Sequence, residues 1–210
     1  MNFPFSTEQF LDVFKIYNLT VWPAQIFLVI LALVSIFLAV YKTKFSDKII
    51  TLSLSFYWLW IGIFYHLIFF TKINKAAYGF AALFVIQSGL FFYFGILKQT
   101  LHFKYLTNVK GLLAIVLFLY SLIFYPLLGY AFGNFYPQTP TFGLPCPTTI
   151  FTFGLLVLSE GKVNKFLLII PALWAVIGFT AALKLGILQD IGLLVSAILT
   201  LTVVMIERKN

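Results

Sequence analysis

Cys146, Thr148 and Thr149 stand in "GLPCPTT", where Pro145 and Pro147 mark a helix start inside an apolar run. Proline is tolerated in a first helical turn, because the N–H it lacks has no partner there anyway. A helix start carries free N–H groups and partial positive charge, which attract anions and favour a thiolate. A thiol and two hydroxyls at such a place could hold an anion, a small polar solute or a soft metal. Packed as a small apolar residue, Cys146 would do none of this. It is the only cysteine, so the chain forms no disulfide within itself.

Other polar groups interrupt apolar runs. His66 in "IFYHLIFF" is the only imidazole inside one, and an ionisable side chain at membrane depth marks a functional position by default. Its bland alternative is a neutral ring bonded to a neighbouring backbone or hydroxyl. Asp190, beside Gln189, opens the last run, where a carboxylate either caps the helix or faces a site. Gln25 and Gln87 lie within runs and fit hydrogen bonding between helices. Trp58, Trp60 and Trp174 sit deeper than an aromatic belt, where they either line a pocket or pack. Pro171 is expected to kink the sixth run, and Gly178 to permit close packing there.

The elements that must position these residues follow from composition. The 210 residues are 62% hydrophobic, 20% aromatic and 10% charged, too few charges for a soluble surface. Seven apolar runs follow one another: Val21–Tyr41, Ile49–Phe70, Ala76–Leu97, Gly111–Phe132, Thr141–Leu158, Phe166–Leu183 and Gln189–Ile206. Each is about 17–23 residues, enough to cross ~30 Å of hydrocarbon at 1.5 Å per residue. Continuous rather than alternating runs indicate helices and exclude a barrel. The expected architecture is all-α, a single membrane domain over residues 1–210 with seven transmembrane helices. The fifth run is the one its prolines could break.

The net charge of +8 belongs to short loops, which points to membrane orientation and away from nucleic acid. Ten basic residues fall on one side: Lys42, Lys44, Lys48, Lys98, Lys104, Lys110, Lys162, Lys165, Arg208 and Lys209. Lys15, Lys72, Lys75 and Lys184 fall on the other. This bias puts the C-terminus inside and the N-terminus outside. The first residues lack the basic start of a secretory signal. Residues 5–18 read as a short interfacial helix, with Ser6 and Gln9 as a capping box and Phe5 and Phe10 as a hydrophobic staple. Phe10, Phe14 and Tyr17 then share one face. "WPAQ" and "PCPTT" open the first and fifth runs, a faint echo of parallel repeats.

Absences narrow the chemistry. No Asp or Glu lies deep within a run, so a proton relay or carboxylate cation site is not expected. Two methionines, one cysteine and one buried histidine suit neither a copper path nor a zinc centre. No metal, cofactor or catalytic residue is assigned. "PFSTEQFLDVFKIYN" and "GLPCPTTIFTFGLL" resemble an uncharacterised bacterial multipass membrane family, a domain of unknown function. The resemblance implies no activity. It directs interest to Ser6, Gln9, Pro145, Cys146, Pro147 and Thr148.

Three functions are consistent with these residues. The first is a small permease or channel in a bacterial inner membrane. Its outer-half site would be built from Cys146, Thr148, Thr149, His66, Asp190, Trp174 and Gln25, taking a small polar solute or anion. The second is an accessory or assembly subunit without substrate, joined to itself or to a membrane partner. The third is an enzyme with Cys146 as nucleophile and His66 as base, which needs the two within hydrogen-bond reach.

Overall fold

The computed structural model describes residues 4–209, and side chains as far as 206. Among them are helices and no strand, with only isolated bridges outside the helices. The helices are α1 (Thr7–Val21), α2 (Ala24–Val40), α3 (Ser46–Lys72), α4 (Ala77–Leu97), α5 (Val109–Ala131), α6 (Pro145–Val157), α7 (Phe166–Leu185) and α8 (Ile191–Lys209). A 3₁₀ turn, Leu188–Asp190, leads into α8. Five of these helical stretches are long and apolar enough to cross a membrane, or six if the bent pair α1–α2 counts as one span. The α6 helix is shorter, 13 residues or ~20 Å. The chain is therefore a helical membrane bundle, whose apolar side chains face outward as well as inward.

The α1 helix starts on its capping box: Ser6 Oγ accepts from the Gln9 N–H, and Gln9 Oε1 from the Ser6 N–H. The staple forms too, with the Phe5 and Phe10 rings stacked 5.6 Å apart. Between α1 and α2 the chain turns by 85° at Trp22 and Pro23. That bend lays the Phe10, Phe14 and Tyr17 face of α1 across one end of the bundle. Tyr17 is fully buried there, accepting from Trp60 Nε1 at 2.8 Å and donating to Gly143 O at 3.0 Å.

The α6 helix is the central post. Every side chain in it except the half-buried Cys146 is buried, as an all-round apolar helix requires. Pro145 occupies its first turn, as its spacing predicts. The four residues before it are irregular. Gly143 has φ +98, and a Cβ there would meet Leu28 Cδ1 at 2.4 Å, so this bend needs glycine. Gln87 Nε2 donates to Leu167 O and joins α4 to α7, the gluing role expected for it. Trp58 Nε1 donates to Thr152 Oγ1, which ties α3 to α6, so Trp58 packs rather than lining a pocket. The α7 helix runs through Pro171 as one element. A Cβ on Gly178 would lie 2.8 Å from Leu193 Cδ2, so α7 and α8 do touch closely there.

The opposite end of the bundle is closed by a polar latch. Asp47 accepts from the Phe103 N–H at 2.8 Å, lies 3.0 Å from His102 Nδ1, and meets Lys42 at 3.6 Å. Lys42 also pairs with Glu160 at 2.9 Å, and the Glu160 N–H donates to His102 O. Asp47→Ala is expected to cost about 1–2 kcal/mol, mostly from the stranded Phe103 N–H. The half-exposed ion pairs add only tenths and are screened by salt. Thermal unfolding of wild type and variant, at low and at molar salt, checks this. The difference should survive the salt.

Candidate functional site

Beneath α1 lies a cavity of about 80 Å³. One wall comes from α1 and the residue before it, through Phe5, Phe10 and Phe14. Tyr65 and Phe70 of α3 and Phe80 of α4 form a second wall, and Trp174, Ile177 and Gly178 of α7 a third. The floor is the start of α6, Pro145 to Pro147, with Tyr125 and Asp190 beside it. The rings make a continuous lining: Phe10 to Phe14 at 4.6 Å, Phe14 to Tyr65 at 6.0 Å, and Phe80 to Trp174 at 5.4 Å between centroids.

Four polar groups gather at the floor, while Asn74 and Thr180 line the cavity elsewhere. Asp190 is only 5% exposed, and its carboxylate accepts from the Tyr125 hydroxyl. The Cys146 thiol neighbours that carboxylate, the Tyr125 hydroxyl and the Trp174 indole. Apart from that thiol, Trp174 Nε1 has no partner among the described residues, and Trp174 is 8% exposed. None of the described ion pairs involves Asp190, and among the described residues no lysine or arginine lines the cavity. Among the described residues no three of His, Cys, Asp and Glu gather as a metal site.

Three of the residues singled out from the sequence thus come together: Cys146, Asp190 and Trp174. The others do not line the cavity. Thr148 and Thr149 are buried along α6 beyond its first residues, and Thr148 Oγ1 accepts the Gly143 N–H that the proline-bearing turn leaves over. Gln25 bridges Asn18 Oδ1 at 2.7 Å and Thr141 Oγ1 at 2.9 Å, so it holds the α1–α2 corner together. His66 sits behind the lining, its ring 5.0 Å from that of Trp174 and 4.6 Å from that of Phe84. Both of its nitrogens are buried without a hydrogen-bond partner, so it forms no pair with Cys146. Asp190 departs from the capping alternative: its carboxylate accepts from Tyr125 of α5, in the cavity that α1, Pro140 and Leu144 also line.

Tyr65, Tyr125 and Asn18 belong to this region and carry no signal in the sequence. Two of the three π-helical turns among the described residues lie beside the cavity, one holding Tyr65 and His66 and one ending at Phe124, next to Tyr125. Such turns concentrate at functional sites. His66→Leu is expected to leave the melting temperature unchanged or raise it, since an apolar group of similar volume removes two unsatisfied nitrogens. A fall of more than a few degrees would mean that the imidazole is bonded after all.

No curated protein and no solved structure matches the chain. The family model for a family of unknown function, DUF6064, matches residues 7–210, and this aromatic-walled helical bundle belongs to that family.

Proposed function

We propose that the protein is a small-solute permease of the bacterial inner membrane, with seven spans from α2 to α8 and α1 lying across the outer end. The lysine bias puts the cavity end outside and the Asp47 latch inside. One observation carries the reading: a thiol, a carboxylate, a phenol and an indole converge on an apolar cavity just below a helix that side-chain hydrogen bonds hold down. Convergent polar groups in an apolar pocket are the usual form of a ligand site. The cavity has room for about five water-sized positions, so the solute is small. With a carboxylate in the wall and no basic residue, an anion is no longer favoured. The all-round packing of α6 keeps the cavity shut from the inner side, as an alternating-access cycle requires of a state loaded from outside.

Cys146 is the only thiol, which makes the test direct. A small membrane-impermeant maleimide added to intact cells should label it slowly from outside, and faster when α1 is loosened. Labelling only after denaturation, in wild type and in loosened variants alike, would overturn the reading in favour of an accessory subunit with a closed core.

A further inference from the structure

We propose that the solute held in this cavity is a small N-methylated ammonium cation, bound by the Asp190 carboxylate and the surrounding aromatic rings. The inference rests on the solute-site reading and names its ligand class. Phe10, Phe14, Tyr65, Phe70, Phe80 and Trp174 surround the space from four helices. Ring faces carry negative potential, and a cation within about 6 Å of several centroids is attracted to all of them. Opposite them stands Asp190, a carboxylate 5% exposed that no described ion pair neutralises. A buried carboxylate without a cation is costly, and a cationic ligand supplies the missing partner.

The same wall argues for methylated nitrogen rather than a bare ammonium group. Bare ammonium needs an acceptor for each N–H. Among the described residues Asp190 is the only carboxylate lining the space, and its neighbours Tyr125, Cys146 and Trp174 are donors or weak acceptors. Asn74 and Thr180, which also line it, are bonded to their own backbone surroundings. Methyl groups instead match the ring-lined majority of the wall. The volume also agrees, since about 80 Å³ admits a group of only a few heavy atoms, the scale of a methylated ammonium head.

The test uses the full chain, purified into lipid nanodiscs, with choline and tetramethylammonium as probes. The control is 3,3-dimethylbutan-1-ol, the uncharged carbon analogue of choline. Calorimetry should show choline binding at least about tenfold more tightly than the alcohol, the margin expected of a desolvated cation–π and carboxylate site. Choline should also slow maleimide labelling of Cys146. Asp190→Asn should weaken choline by about tenfold or more and leave the alcohol unchanged, and Trp174→Leu should weaken choline too. If Asp190→Asn does not fold, the comparison of choline with the alcohol on wild type decides alone. Equal affinity for choline and the alcohol overturns the proposal and leaves a site for neutral solutes. Absence of choline binding while Cys146 stays open to reagent also overturns it, and the general solute reading survives. Absence of binding together with an unreachable Cys146 removes both.

Discussion

Asn18→Ala is expected to speed labelling of Cys146 by about a hundredfold. Asn18 is fully buried on the underside of α1. Its Nδ2 donates to Pro137 O at 2.7 Å and Thr139 O at 2.9 Å. Its Oδ1 accepts from Gln25 Nε2 at 2.7 Å and from Thr141 Oγ1 at 2.9 Å. One side chain therefore closes four bonds between α1, the start of α2 and the irregular segment over the cavity. Each such bond contributes about 1 kcal/mol, and truncation leaves buried carbonyls without a donor, so the total is about 3–4 kcal/mol. Apart from Tyr17, little else that is polar holds this end of α1 down. The loss should therefore appear as local opening of the helix rather than as global unfolding. When closing outruns modification, the labelling rate follows the open population, and ~3 kcal/mol corresponds to about a hundredfold.

The control is Asp47→Ala at the latch. It lowers global stability but lies at the far end, so it should leave the Cys146 rate unchanged. If both variants label alike, Cys146 is reached through global unfolding and α1 is no lid. If Asn18→Ala leaves the rate at its wild-type value, the four bonds do not govern access.

Much of the frame was legible because its causes are local. The capping box at Ser6 and Gln9, the stacked Phe5 and Phe10, and Pro145 in a first turn each depend on residues a few positions apart. The apolar runs depend on composition alone. What escaped is tertiary. Asp190 opens the last apolar run, where a cap and a site residue read alike, and only the fold places it beside Tyr125 in a cavity that α1 also lines. Thr141–Leu158 reads as a full span, but the Gly143 turn and the first-turn proline begin the helix at Pro145. Tyr65 and Tyr125 were hidden by abundance: among 11 tyrosines and 26 phenylalanines, an aromatic facing a cavity differs in no pattern from one facing lipid. Nothing in its sequence neighbourhood marks Asn18, and only its partners more than a hundred residues away show its role.

The pair at the cavity floor gives the second large effect. Tyr125 is fully buried on α5, and its hydroxyl donates to Asp190 across the bundle. Tyr125→Phe keeps the ring and removes that donor. A buried carboxylate that loses a charge-assisted bond costs about 2–3 kcal/mol, and more where no water reaches it. Asp190→Asn behaves differently: the amide oxygen still accepts from Tyr125, and the buried charge is gone, so this variant should be near neutral or stabilising. Tyr125→Phe should then cost much less in the Asp190→Asn background than in wild type. A double-mutant cycle on melting or denaturant unfolding should show a coupling of at least about 1.5 kcal/mol. Coupling near zero would mean that the phenol and carboxylate are not joined, and the floor would lose its polar anchor. The cycle also bears on the ligand. If choline binds to the carboxylate, saturating choline should reduce the cost of Tyr125→Phe, because the cation takes over as the partner that the phenol provides in the empty protein. A cost unchanged by choline would place the cation, wherever it binds, away from Asp190.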